Sequence, residues 1–333
     1  MKSVMKEPFV LIAGSAGTAP APSTNVPRFD PGAPWGIQRE TFRREIYGAN
    51  TICILIRNQD AILVIDHGSG LPYASAFIKE MMEAEKKIVN GVVVHRLQTH
   101  YHVDHHCGLP LDPALLDPKY SLCFYSPILP DNNGSMESCL AEYYDGVDWP
   151  LKLAFLDQVG AKRLHFRFQP GQKLRLGSLS VETMLLPHPG GCCGYRINIP
   201  GTLPVVIATD VELPSADEGI DPNLVKFFDG ADTVIIDLQY DDPEYEGIER
   251  IGGIKMSRRG WGHSTPKKVF GLLKLCQQLP RKIIAVHHDP QKNDMQLRRF
   301  FEKTLNCIES LGLASDFFEF GHDGHMRWPK LQP

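Results

Sequence analysis

The stretch 99–106 concentrates side chains that bind metal ions. It reads THYHVDHH and supplies four candidate ligands within six positions, His100, His102, Asp104 and His105. His100 and His102 are two residues apart, so in extended backbone their side chains point the same way. A following turn can bring Asp104 and His105 to a second ion. Imidazole and carboxylate ligands without cysteine suit zinc, iron or manganese and indicate a catalytic site, whereas a histidine-rich surface loop that binds nothing is the alternative.

Short apolar, β-branched runs recur along the chain and end in polar residues. They are 62–65 before Asp66, 92–94 before the histidine stretch, 205–207 before Asp210, 234–236 before Asp237 and 283–286 before His287. Continuous apolar runs of this length predict strands that are buried on both faces and need helices as cover. Polar residues at the ends of such strands lie where α/β proteins collect their active sites.

Helices to cover these strands are predicted at 72–87, 266–279 and 294–311. Thr265 followed by Pro266 is typical of a helix start, and Gly312 of a helix end. A Gly-, Ala- and Pro-rich stretch at 14–36 predicts a long surface loop after a first strand. Strands and helices alternate without a break in composition, so residues 1–333 are expected to form a single α/β domain.

Composition excludes several classes of protein. The 333 residues include 35 basic and 39 acidic side chains, a net charge of −4, and 43% are hydrophobic. This balance excludes a disordered tail, a fibre or a coiled coil, and it argues against a protein that mainly binds polyanions. No apolar run reaches the roughly 18 residues of a membrane span. Eight cysteines without a C-x-x-C spacing and no signal-peptide core predict free thiols and a cytoplasmic location.

The metal-binding stretch resembles the His-x-His-x-Asp-His signature of the metallo-β-lactamase superfamily. Its later motifs follow in order along the chain: PHPGG at 187–191, ATD at 208–210 and IIAVHHDP at 283–290, with Asp66 matching the aspartate of the first motif. The resemblance spans about residues 48–290. It implies a four-layer αββα sandwich that binds two divalent metal ions, zinc in the first instance, with manganese or iron as alternatives.

The resemblance also implies which residues bind each metal. One ion would take His100, His102 and His188; the other would take Asp104, His105 and His287; and Asp210 would bridge both. His287 and His288 are adjacent, and the family motif favours His287 as the ligand. Asp66, His288 and Asp289 would then orient the ligands. Between the two cations a water with a lowered pKa would be the nucleophile, with Asp104 and Asp210 among the catalytic residues.

A further motif, GWGHST at 260–265, resembles one branch of this superfamily. That branch contains the transfer-RNA 3′-processing endonuclease and the cyclic-ribose phosphodiesterase of phosphonate breakdown. The resemblance implies that His263 stabilises charge or protonates the leaving oxygen, and the predicted helix start beside it would attract a phosphate. A histidine that merely packs a helix start is the alternative. Asp237 and the acidic stretch 240–245 resemble the same branch.

The leading hypothesis is therefore a metal-dependent hydrolase, a phosphodiesterase acting on a small or cyclic phosphodiester. An RNA-processing nuclease of the same branch and a thioesterase or lactamase-type hydrolase are the alternatives. The resemblance implies that the transfer-RNA-processing enzymes carry a substrate-gripping arm between the motifs of His188 and Asp210. Here these two residues are 22 positions apart, too few for such an arm as well as two strands. A small-molecule substrate is thus expected, nucleic acid is disfavoured, and a homodimer is expected from the resemblance. The sequence assigns no role to Cys192, Cys193, His322 or His325.

Overall fold

The computed structural model describes residues 7–21, 44–88, 91–131, 133–215, 218–249 and 255–330. Most of the loop predicted at 14–36 lies outside these residues. The described chain forms two seven-stranded mixed β-sheets.

The first sheet has the strand order β14-β1-β2-β3-β4-β5-β6 and the second has β13-β12-β11-β10-β9-β8-β7. The bounds of the strands of the first sheet are β1 Phe9–Gly14, β2 Cys53–Arg57, β3 Ile62–Ile65, β4 Val92–Leu97, β5 Tyr120–Pro127, β6 Lys162–Phe168 and β14 His325–Arg327. Those of the second sheet are β7 Lys173–Leu176, β8 Leu179–Leu186, β9 Cys192–Asn198, β10 Val205–Ala208, β11 Thr233–Asp237, β12 Lys282–Val286 and β13 Phe318–Phe320.

Helices cover the outer face of each sheet. They are α1 Leu71–Ala84, α2 Met136–Tyr143, α3 Leu153–Val159, α4 Pro222–Phe228, α5 Asp242–Tyr245, α6 Pro266–Leu273 and α7 Asp294–Ser310. Apolar residues of α1, α2 and α3 form one core with the first sheet, and those of α4, α6 and α7 form another with the second. A third core lies between the two sheets. These layers confirm the predicted αββα sandwich.

The predicted elements differ from the observed ones mainly at their ends. Helix α6 stops at Leu273, earlier than predicted, because the following segment turns to bond with the end of α4 through Gln278 N–H and Asp229 Oδ1, 2.7 Å apart. Strand β4 was predicted to be buried on both faces. Val93 is instead 53% exposed, so only the end of β4 nearest residue 97 is covered on both sides.

The topology brings the polar strand ends together. Strand β3 runs parallel to β4 in the first sheet, and β11 runs parallel to β10 and β12 in the second. The carboxyl ends of these strands therefore carry Asp66, the 99–106 stretch, Asp210, Asp237 and His287 to neighbouring positions. None of the helices within the described residues is long and apolar enough to cross a membrane.

Candidate metal centre

Three histidines and one carboxylate form the first half of the centre. His102 Nδ1 lies 3.0 Å from His100 Nε2 and 3.1 Å from His188 Nε2. The Oδ2 atom of Asp210 is 3.8 Å from His100 Nε2 and 3.7 Å from His188 Nε2. Four donor atoms from three separate segments thus converge, as a tetrahedral zinc site requires.

The second half has one donor each from Asp104, His105 and His287. Asp104 Oδ2 is 3.4 Å from His105 Nε2 and 3.3 Å from His287 Nε2. Asp210 reaches this group too: its Oδ1 lies 3.1 Å from His105 Nε2 and its Oδ2 lies 3.3 Å from His287 Nε2. Asp210 is therefore a carboxylate placed between both groups.

The chemistry of these donors fits two divalent cations. Among the described residues, His105 Nε2 and Asp210 Oδ1 are buried without a hydrogen-bond partner. Burial by itself lowers the pKa of His105, but Asp210, Asp104 and Asp66 raise it well above its usual value. The surroundings of this ring thus favour positive charge, which a bound cation supplies. Burial lowers the pKa of His188 to about 4, which keeps it neutral and ready to bind a metal.

Asp66 orients His105 directly and His100 through Thr99. Its Oδ2 accepts a 2.7 Å hydrogen bond from His105 Nδ1, and its carboxylate also accepts bonds from the amide and the hydroxyl of Thr99. The Thr99 hydroxyl lies 3.0 Å from His100 Nδ1. Each ring is thereby held with Nε2 toward the centre. Asp66 has a φ of +59°, a strained conformation for a non-glycine residue that is typical of functional sites.

Sequence reasoning missed two residues that hold the second half. Gln239 Oε1 lies 3.1 Å from His287 Nδ1, and the Thr18 amide donates a 2.8 Å hydrogen bond to Asp104 Oδ2. Gln239 lies two residues after Asp237, the last residue of β11, so alternation continued past the end of the strand could have indicated it. Thr18 belongs to the Gly- and Ala-rich loop after β1 and carries no signal in the sequence.

Glu212 is a third residue that the sequence did not indicate. Its Oε1 accepts a hydrogen bond from Gly260 N–H at 2.8 Å, and its Oε2 accepts one from Gly262 N–H at 2.7 Å. Its own amide donates to Pro187 O at 2.8 Å. Glu212 therefore ties together the loops that carry His188 and His263.

His263 lies beside the metal donors and is held by Asp237. Its Nδ1 is 2.7 Å from Asp237 Oδ2, and its ring stacks on His287 with centroids 4.7 Å apart. The ring is 8% exposed and lines the cleft above the centre. Burial lowers the pKa of His263, although Asp210 and Asp104 oppose this. Because Nδ1 faces Asp237, Nε2 is the nitrogen available to a bound molecule.

The structure brings His287, and not His288, to the centre. His287 has a φ of +61°, which turns the chain between the two residues. His288 Nε2 bonds to Gly321 O at 2.8 Å, and its ring packs against Phe320 and Tyr47. These contacts place the side chain of His288 against the core beside β13 and include none with a ligand candidate. They therefore do not support the expected role of His288 in orienting a ligand.

Asp289 lines the cleft without bonding to a ligand histidine. Its Oδ1 accepts a 2.8 Å bond from Gln291 N–H, and its backbone oxygen accepts one from Arg44 at 2.8 Å. Its expected orienting role is likewise not reflected in these contacts.

The four residues without an assigned role lie outside the metal groups. Cys192 and Cys193 are buried at the start of β9, where the Cys193 amide donates to Thr99 O at 2.9 Å and links the two sheets. His325 lies 3.3 Å from Glu319 and packs against His322.

Gly262 is predicted to be indispensable for the first half of the centre. His188 Nδ1 donates to Gly262 O at 2.9 Å, and a Cβ at position 262 would overlap the His188 ring. Gly262→Ala should therefore weaken zinc binding about 10- to 100-fold, the cost of losing an orienting partner, as measured by competition with a chromophoric chelator. Gly260→Ala is the matched control, since Gly260 also has a positive φ but no atom within 4 Å of an added Cβ. Equal zinc affinity in both variants would contradict this role.

Removing the metals is predicted to destabilise the protein. His105 Nε2 and Asp210 Oδ1 are buried without a hydrogen-bond partner among the described residues, and bound cations would pair them. At a free zinc concentration 100-fold above its dissociation constant, one ion adds about 2.7 kcal/mol to the free energy of unfolding. Chelation should therefore lower the thermal midpoint, measured by calorimetry, and zinc addition should restore it. A midpoint that stays constant after zinc analysis shows complete removal would argue against the centre.

Comparison with known proteins identifies the fold. No family model and no curated protein matches the sequence. The metallo-beta-lactamase fold protein YhfI from Bacillus subtilis is 15% identical, with a TM-score of 0.56 over 96% of this chain and 99% of that chain. A diphosphatase from the PhnP family is 13% identical, with a TM-score of 0.56 over 97% of this chain and 98% of that chain. Human tRNase Z, short form, is 13% identical, with a TM-score of 0.57 over 97% of this chain and 100% of that chain. The architecture and these matches together show that this chain has the metallo-β-lactamase fold.

Proposed function

We propose that this protein is a metal-dependent hydrolase, specifically a phosphodiesterase that acts on a small or cyclic phosphodiester. The observation that carries the proposal is the Asp237–His263 pair, joined at 2.7 Å and next to seven metal-ligand candidates. His263 also lies within metal-binding reach of His188 and Asp210, and of Asp237 and His287, but the other ligand candidates already supply three donors to each half of the centre. A histidine beside the metal-ligand candidates and bonded to a carboxylate can transfer a proton or stabilise developing charge.

The chain's own residues support hydrolysis of a phosphoryl group. Two bound cations would supply Lewis acidity toward the phosphoryl oxygens and a nucleophilic water near neutral pH. His263 lines the cleft, and its Nε2, the nitrogen that is not bonded to Asp237, can give a proton to the departing alkoxide oxygen. Asp237 Oδ2 accepts a hydrogen bond from His263 Nδ1 and so stabilises the imidazolium that can give up the Nε2 proton. Asp66 and Gln239 keep the ligand rings in place while charge develops.

The shape of the cleft favours a small substrate. It has a volume of about 530 Å³, within the range of small-molecule sites. The segment between His188 and Asp210 forms β9, β10 and the turns that flank them, which supports the expectation that it holds no substrate-gripping arm. The likeness to a PhnP-family diphosphatase and to tRNase Z is consistent with phosphoryl chemistry, and it rests on fold alone.

The test is a substrate panel with metal-analysed protein. Bis(p-nitrophenyl) phosphate should be hydrolysed, while the cephalosporin nitrocefin and a thioester should not. Turnover of nitrocefin or the thioester, without turnover of the diester, would replace the proposal with a lactamase or thioesterase. Cleavage of a transfer-RNA precursor faster than of any small diester would favour the nuclease.

A further inference from the structure

We infer that Arg258 forms an anion-binding subsite in the cleft, which selects phosphodiesters that carry a second negatively charged group, a carboxylate or a phosphate. This inference rests on the proposed function, because it names the substrate class of the same cleft. The subsite itself contains none of the metal-ligand candidates, and its test can be separated from that of hydrolysis.

Arg258 is nearly buried in the wall of the cleft. Its side chain lines the same cavity as His263 and Asp210, and the residue is only 4% exposed. Its Nη1 donates to Met256 O at 2.9 Å, and its guanidinium lies 4.5 Å from the centre of the Trp261 ring. These two contacts hold the plane of the guanidinium in one orientation.

The charge of Arg258 is not neutralised within the part of the chain that the structure describes. No carboxylate of the described residues forms an ion pair with it, although Asp289 lines the same cleft. Arginine is a cationic side chain whose nitrogens donate hydrogen bonds and accept none, so this positive charge lies in the wall of the cleft. A charge that has been withdrawn from water without a partner is costly, and an anion that binds beside it offsets that cost.

The neighbouring arginine shows the contrast. Arg259 bonds to Glu246 at 3.1 and 2.7 Å and lies 3.6 Å from Glu218. It lines a different surface depression, with Glu212 and Lys268. The two adjacent arginines thus differ in two respects: Arg259 is paired with carboxylates at the surface, whereas Arg258 lies within the cleft and has no carboxylate partner among the described residues.

The chemistry of the subsite follows from the guanidinium. Its planar fork matches the two oxygens of a carboxylate or phosphate, and such charge-assisted bonds are about twice as strong as neutral ones. The reacting phosphodiester would lie at the metal donors near His263, and the second anion would lie at Arg258 on the part of the substrate that does not react.

The test uses non-hydrolysable ligands, so that binding is measured apart from catalysis. Phenylphosphonate and its 3- and 4-carboxy derivatives would be titrated calorimetrically into the zinc-loaded protein. Wild type should bind a carboxylated ligand about 10- to 100-fold more tightly than phenylphosphonate. Arg258→Gln should abolish this preference without changing the affinity for phenylphosphonate, and Arg258→Lys should keep part of it. Arg259→Gln is the matched control and should keep all of it.

Two results would overturn the inference. One is wild-type protein that shows no preference for either carboxylated ligand, and the other is a preference that survives in folded Arg258→Gln. A preference that depends on Arg258, in a protein that fails to hydrolyse bis(p-nitrophenyl) phosphate, would support the subsite and reject the phosphodiesterase. Hydrolysis without an Arg258-dependent preference would do the reverse.

Discussion

Asp210→Asn is expected to reduce the metal content from two ions toward one per chain. Asp210 is 1% exposed, and its two oxygens lie between His105 and His287 on one side and His100 and His188 on the other. Asparagine offers one oxygen and an NH₂ group, which cannot bind a second cation. Removing a residue that only orients a metal ligand lowers activity about 10- to 100-fold. Removing the bridging ligand itself should therefore lower the rate of hydrolysis by about 10³-fold or more.

The measurement is metal analysis of gel-filtered protein together with the rate of diester hydrolysis. Asp148→Asn makes the same change of charge at an exposed position and should leave both quantities unchanged. Two metals per chain in Asp210→Asn, at wild-type affinity, would show that Asp210 is not the bridging ligand.

His263→Ala should separate catalysis from metal binding. The ring stacks on His287, and its Nδ1 forms a hydrogen bond with Asp237 instead of binding a cation, so its removal should leave two metals per chain. Turnover should fall about 10²- to 10⁴-fold, as expected when a general acid is lost. The decisive quantities are the zinc content and kcat measured on the same protein sample.

Two companion variants make this result specific. Asp237→Asn should lower kcat in the same direction, because the amide cannot stabilise a protonated His263. His322→Ala removes a partly buried histidine near β14, far along the chain from the motifs, and should change neither quantity. A wild-type rate in His263→Ala would leave His263 with a structural role only.

The fold and the ligand candidates could be predicted because their signals are local and ordered. Apolar runs such as 62–65 and 283–286 form strands, β3 and β12, at nearly the predicted bounds. Each run ends at a polar residue, and the order of these residues along the chain resembles one superfamily. The structure places these candidates in overlapping groups of three that could hold a metal ion, and their role as ligands stays a prediction.

The supporting contacts could not be predicted because they depend on three-dimensional proximity. Thr18 acts through its backbone amide, which any residue type would supply. Glu212 accepts from two amides of a loop about 50 residues away, and no spacing rule anticipates such a contact. The choice between His287 and His288 depends on a positive φ, a feature that the sequence IIAVHHDP does not reveal.

The claim on which the whole account depends is a dinuclear centre built by seven side chains beside an unligated His263. Anomalous X-ray scattering from zinc-loaded crystals, recorded on both sides of the zinc edge, tests it directly. We predict two peaks about 3.5–4 Å apart. One should be bound by His100, His102 and His188, the other by Asp104, His105 and His287, with Asp210 between them and no bond to His263. A single peak, or a metal bound by His263, would contradict the account.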